Sequence, residues 1–186
     1  MIQIKSFAFN PFSENTYILY DASKECVIID PGCMELNEQK EISGFISNNE
    51  LLPVRMLNTH CHIDHILGVK YIADTYKLNL EISRLELPVL DSTEMVAGMY
   101  GLGNIEKPIA TEPFLEEGEV VKFGNSQLEI LFVPGHSPGH LVFLNKAERF
   151  IIGGDVLFYG SIGRTDLPGG DHNALIKNIK EKLLSL

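Results

Sequence analysis

The chain has 186 residues, 45% of them hydrophobic, enough to bury one substantial core; no composition break marks a second domain, so residues 1–186 are read as one unit. Its formal net charge of −10, with 15 Lys and Arg against 25 Asp and Glu and no basic cluster, argues against a nucleic-acid partner. No stretch approaches the ~20 apolar residues that cross a bilayer, the first residues lack a secretory leader pattern, and the three cysteines (Cys26, Cys33, Cys61) are unpatterned. The expected setting is therefore the reducing cytoplasm, with no membrane partner.

Apolar runs at residues 2–9, 16–20 and 26–29 predict short strands, punctuated by Asn10-Pro11 and Asp21-Ala22-Ser23 and stopped by Asp30-Pro31-Gly32. Residues 35–49 have helical character, 54–57 predict a strand, and 64–76 predict one helix from the spacing of Ile66, Val69, Ile72 and Ala73. A strand at 78–82 precedes a helical segment at 84–100, whose Met95 and Met99 read as core or lid residues. Strands follow at 120–123, 128–133, 141–144 and 150–152, with Gly124-Asn125 as a turn, and 173–186 predicts one amphipathic helix. Two sets of strands, each followed by helices, predict an α/β fold: a four-layered αββα sandwich.

Asn58-Thr59-His60-Cys61-His62-Ile63-Asp64-His65 places three imidazoles and a carboxylate within six residues, after an apolar strand. Burying so many polar side chains without a partner is costly, so the cluster points to a metal. On an extended backbone His60 and His62 share one side, whereas Asp64 and His65 enter the same cavity where the chain begins to curl. Imidazole with carboxylate suits zinc, iron, manganese or cobalt, and no thiolate cluster is present. Cys61, between ligands, faces the other way.

Two further segments complete the set. Val133-Pro134-Gly135-His136-Ser137-Pro138-Gly139-His140 supplies His136 as a third imidazole for His60 and His62, while His140 reads as a hydrogen-bond donor behind the ligands in preference to a ligand itself. Asp155, after an apolar strand and two glycines, can offer one oxygen to each of two ions. Two ions ~3.5–4 Å apart can share a water whose pKa has dropped towards ~7, which makes hydrolysis the most direct chemistry.

His60-x-His62-x-Asp64-His65, Pro134-Gly135-His136 and Gly154-Asp155 together resemble the metallo-β-lactamase fold superfamily across nearly the whole chain. Asn10-Pro11-Phe12, Asn15-Thr16-Tyr17, Asp30-Pro31-Gly32 and Gly160-Ser161-Ile162-Gly163-Arg164-Thr165-Asp166-Leu167 resemble its small glyoxalase II-like hydrolases. The resemblance implies one ion on His60, His62 and His136, a second on Asp64, His65 and a further histidine, and Asp155 between them. It also implies that Asp64 is catalytic, orienting a metal-bound hydroxide that attacks the carbonyl of a small thioester. In the family that further histidine follows one more strand after the last helix. The chain is accordingly expected to be a C-terminally short form; His172, beside the helix cap Asp171, reads as a surface residue and not a replacement.

The expected function is a metal-dependent, glyoxalase II-like thioesterase acting on a small molecule, with one or two zinc ions, iron or manganese being alternatives. A mononuclear iron persulfide dioxygenase is a second reading, and a metal-poor inactive scaffold that self-associates into a homo-oligomer is a third. Arg164 and Asp166 are open between pairing with each other, pairing with the metal shell, and Arg164 meeting a substrate carboxylate.

Overall fold

Strands that are apolar on both faces need cover on both, and the four-layer arrangement supplies it. The computed structural model describes residues 1–186. Strands β1 (Gln3–Phe9), β2 (Glu14–Tyr20), β3 (Glu25–Ile29), β4 (Leu52–Leu57) and β5 (Leu80–Glu81) form the first sheet in that spatial order. β1 to β3 are antiparallel, and β3, β4 and β5 are parallel. Parallel neighbours require crossovers, and these are helices: α1 (Leu36–Asn48) before β4, then α2 (Ile63–Ile66) and α3 (Val69–Tyr76) before β5. A capping box between Glu35 and Glu38 starts α1.

The second sheet is an antiparallel meander of β6 (Val120–Phe123), β7 (Ser126–Phe132), β8 (Leu141–Asn145) and β9 (Phe150–Ile152). Side-chain alternation divides each buried strand between two cores. On β3, Val27 and Ile29 meet Phe123, Leu128, Ile130 and Phe143 between the sheets, whereas Cys26 and Ile28 pack against Ile42, Ile46 and Ile72 of the helices. Val133 and Val142 face outward, under Leu175, Ile179 and Leu183 of the last helical segment. The order is helices, sheet, sheet, helix: the expected four-layered αββα sandwich.

Three local expectations are corrected. The helix expected over 64–76 is broken at Gly68, whose N–H donates to the Pro31 carbonyl (2.8 Å) and which packs so tightly on Cys33 that a Cβ would lie 2.5 Å from its Sγ. The segment at 84–100 is a 3₁₀ turn (Arg84–Glu86) followed by α4 (Leu87–Asp91) and α5 (Thr93–Tyr100), with Met95 and Met99 exposed and not in the core. The last helix is α6 (His172–Asn178), which widens into a π-helical turn over Ile179–Leu183. A small ribbon, β10 (Leu157–Phe158) with β11 (Ser161–Ile162), has no counterpart in the sequence expectations.

All the histidine-bearing loops leave their strands at one edge of the sandwich. The Leu141 N–H donates to the Thr59 carbonyl (2.8 Å), stitching the loop after β4 to the start of β8 across the two sheets.

Candidate metal centre

The loop after β4 is braced from within. Asn58 Nδ2 donates to the carbonyls of His60 (3.3 Å) and His65 (2.7 Å), holding the turn between them. His60 is fully buried, His62 half-buried, and His65, in the one-turn helix α2, buried. Across the sheet junction, the turn after β7 delivers His136. Its Nε2 lies 3.1 Å from His60 Nε2 and 2.8 Å from His62 Nδ1. Donors around one tetrahedral ion with bonds of ~2.0–2.1 Å stand roughly 3.3 Å apart, so the three nitrogens have the spacing of a ligand set.

Hydrogen bonding settles where the protons are on two of these rings. His136 Nδ1 faces the Arg164 carbonyl at 2.8 Å, and a carbonyl only accepts, so Nδ1 carries the hydrogen. His60 Nδ1 faces Thr59 Oγ1 at 3.0 Å, and that hydroxyl already donates its one hydrogen to Asp30 Oδ2 at 2.7 Å; His60 Nδ1 is therefore also a donor. Burial pushes the pKa of both rings below the ordinary histidine value, so neither is doubly protonated near neutral pH. Burial and the neighbouring His136 and His65 push His62 down to about 3. His60 Nε2 and His136 Nε2 thus turn lone pairs towards each other with no proton between them. A cation is the partner that such a pair lacks.

His65 carries the opposite bias. Burial opposes a charge on it, but Asp30, Asp155 and Asp64 outweigh burial and raise its pKa well above the ordinary value. Its Nε2 lies 3.4 Å from Asp155 Oδ1 and 3.5 Å from Asp64 Oδ2, while Nδ1 faces Asp30 Oδ2 at 3.2 Å. Burial likewise opposes ionisation of Asp155, but its hydrogen bond to His65 and the nearby histidines bring it down to about 2. Burial raises Asp64. Asp155 Oδ2 is 3.7 Å from His136 Nε2, so this one carboxylate stands between the two histidine groups.

Three sets of donor atoms converge within 4.8 Å: His60, His62 and His136; His60, His65 and Asp155; and Glu14, Asp30 and His65. Asp64 belongs to none of them and reaches the centre beside His65. A cavity of about 350 Å³ opens against Asp64, His65 and Asp155, with Phe12, Tyr17, Leu157 and Phe158 among its walls.

His140 is buried, stacked on His60 with centroids 4.7 Å apart, and its Nε2 accepts the Asp155 N–H at 3.3 Å. The sequence expectation is a donor to the ligands, whereas the hydrogen bond formed here is one that His140 accepts. Arg164 pairs with Asp166 through two contacts of 2.7 Å, so of the three open readings for that pair the structure forms the mutual one. His172 is exposed and outside the converging sets, with Asp171 capping the helix through the Ala174 N–H (2.9 Å). Cys61 points into the core beneath the helices.

Sequence reasoning misses two supports. Glu14 is buried with Oε1 unpartnered, and burial, aided by the charge of Asp30, pushes its carboxyl up to about 9. It carries no motif, merely preceding the Asn15-Thr16-Tyr17 run. Asp30 reads in the sequence only as part of a strand stop, yet it is fully buried and holds a positive φ of 51° while anchoring both Thr59 and His65. A non-glycine residue at positive φ at the end of a buried strand is the kind of local strain that gathers at functional sites.

Comparison with known proteins agrees with this geometry. The model of the metallo-beta-lactamase superfamily matches residues 9–186. Hydroxyacylglutathione hydrolase GloC of Haemophilus influenzae is 34% identical over 186 residues, covering 100% of this chain and 86% of the relative. The probable metallo-hydrolase YqgX of Bacillus subtilis is 37% identical over 178 residues, covering 95% and 81%. Among solved structures, TTHA1623 in a di-iron-bound form is 35% identical with a TM-score of 0.85, covering 98% of this chain and 86% of that one. The histidine cluster, the αββα layers and the matched span have one reading in common: the chain belongs to the metallo-β-lactamase superfamily.

Proposed function

We propose that His60, His62 and His136 hold one metal ion, that His65 and Asp155 with Asp64 beside them serve a second, and that the protein hydrolyses small thioesters in the manner of glyoxalase II. The observation that carries this reading is the pair of lone pairs on His60 Nε2 and His136 Nε2, 3.1 Å apart with no proton between them. Zinc suits the imidazole and carboxylate donors, and iron or manganese accept the same set. The name of the Haemophilus relative, a hydroxyacylglutathione hydrolase, supports a hydroxyacyl thioester as the substrate class.

When bound, the ions supply Lewis acidity that activates water and polarises the thioester carbonyl. The chain's own residues do the rest. Asp64, raised by burial and placed against His65, orients the attacking water and takes up its proton. Asp155 keeps the two groups of ligands in register from between them. Phe12, Leu157 and Phe158 give the cavity an apolar wall that limits bulk water around the acyl group. Water adds to the carbonyl carbon, the C–S bond breaks, and a carboxylic acid and a thiol leave.

The test is metal analysis by plasma mass spectrometry together with hydrolysis of hydroxyacyl thioesters of glutathione and of a second thiol carrier, followed by thiol release. Zinc or iron above one equivalent with hydrolysis of either ester supports the reading. A single iron with oxygen consumption on a persulfide would replace it with the dioxygenase, and only trace metal would replace it with the scaffold.

A further inference from the structure

The imidazole-bearing loops come from different sheets, and one buried carboxylate is hydrogen-bonded to both. Glu86, fully buried at the end of the 3₁₀ turn Arg84–Glu86, accepts the Cys61 N–H through Oε2 at 2.8 Å. Its Oε1 accepts the Ser137 hydroxyl at 2.5 Å and the Gly139 N–H at 2.6 Å. Cys61 lies between His60 and His62; Ser137 and Gly139 lie one and three residues after His136. Each oxygen therefore serves one loop, and the carboxylate bridges the two loops that carry the three imidazoles.

Packing shows that this grip is tight. A Cβ on Gly139 would lie 2.8 Å from the Glu86 N and 2.9 Å from its Cγ, so the His136 turn is pressed against Glu86 with no room for a side chain. The turn carrying Glu86 is itself anchored, because its N–H donates to the Ser83 carbonyl at 3.0 Å.

We infer that Glu86 is a positioning residue that sets the spacing of His60, His62 and His136 by clamping their two loops together. It touches none of the three imidazoles. Only a carboxylate of this length serves both loops: glutamine keeps the length but turns an NH₂ towards N–H and O–H donors on one side, and aspartate is a methylene too short to reach both. The neighbouring loop braces act within one loop, as Asn58 does, or at its root, as the Thr59 to Leu141 backbone bond does. Glu86 alone grips both loops beside the ligands.

This inference rests on the metal reading above. Its test compares the parent protein with Glu86→Gln, Glu86→Asp, Ser137→Ala and a core control, Ile42→Val. Cobalt(II) affinity is measured by chelator competition, the cobalt protein's d–d absorption spectrum is recorded, and the metal-free proteins are unfolded in urea. Glu86→Gln is expected to weaken cobalt binding roughly 10- to 100-fold and to shift the d–d bands, the scale on which outer partners of ligands act. Ser137→Ala should lose several-fold in the same direction, and Ile42→Val should lose stability with its cobalt affinity and spectrum intact. Parent-like affinity and spectrum in Glu86→Gln and Ser137→Ala, whatever stability they lose, would overturn the inference and leave the metal reading standing. Should Glu86→Gln fail to fold, the same result in Ser137→Ala is decisive. A parent protein that binds no cobalt would overturn both.

Discussion

Thr59 and Asp30 meet at two points: the Thr59 N–H donates to Asp30 Oδ1 and the Thr59 hydroxyl to Asp30 Oδ2, each at 2.7 Å. The contact does more than join β3 to the loop after β4. By taking the hydroxyl hydrogen, Asp30 obliges Thr59 Oγ1 to accept from His60 Nδ1, which turns the lone pair of His60 Nε2 towards His136. Thr59→Val keeps the shape and removes the hydroxyl. Metal affinity should fall roughly tenfold and the metal-free protein should lose about 1–3 kcal/mol, as the buried His60 Nδ1–H loses its acceptor and Asp30 Oδ2 keeps only His65 Nδ1. Chelator competition and urea unfolding check the two effects separately.

His136→Ala removes the only imidazole that the second sheet contributes to the three-nitrogen group. Affinity for the ion on that group should fall by more than the roughly 10- to 100-fold that outer partners command. Bound metal stabilises the native state by about 2.7 kcal/mol at a free concentration 100 times the dissociation constant, and that increment should vanish in the variant. Thermal unfolding with and without added zinc measures it, and an equal metal-induced rise in Tm for parent and variant would count against the ligand assignment.

Two glycine-to-alanine changes should have opposite signs. At Gly44, inside α1, an added Cβ would meet nothing within 4 Å beyond its chain neighbours and the adjacent backbone of the helix, so Gly44→Ala should stabilise by roughly 0.5–1 kcal/mol. At Gly68 the Cβ would meet Cys33 Sγ at 2.5 Å and Cys33 N at 2.7 Å, so Gly68→Ala should destabilise by roughly 1–3 kcal/mol. Urea midpoints compared at constant slope are sufficient to read both.

Acid stability is assigned to Asp21. Burial opposes its ionisation, but the Ser23 and Ser126 hydroxyls and the Ser23 and Asn125 N–H groups hydrogen-bond the carboxylate and bring it from 3.8 down to about 2. A folded pKa below the unfolded one means that the contribution is complete above about pH 4 and lost as pH falls towards about 2. Asp21→Asn should therefore be less stable than the parent at pH 6, by on the order of 1 kcal/mol, with the difference shrinking below pH 4. A difference that stayed constant from pH 6 to pH 2.5 would refute the assignment.

The layer order was legible because strand patterns that are apolar on both faces, such as Cys26-Val27-Ile28-Ile29, admit few arrangements other than burial between a sheet and helices. The imidazole cluster was legible because its residues lie close together in the chain. Boundaries failed where a long-range contact overrode local preference, as at Gly68, which gives its N–H to Pro31 and interrupts an otherwise helical pattern. Asp30 was visible only as a turn residue.

The sequence by itself determined the αββα class, the imidazole and carboxylate donors and the loops that bear them, because periodicity and residue chemistry are local properties. Only the tertiary structure decided which nitrogen of His60 and of His136 faces the centre, that Glu14 and Asp30 back His65, and that Glu86 spans both loops. Those facts depend on contacts between residues far apart in the chain, 51 positions for the hydrogen bond of Glu86 and Ser137 and 76 for the facing nitrogens of His60 and His136. Nothing in the local pattern of either partner encodes them.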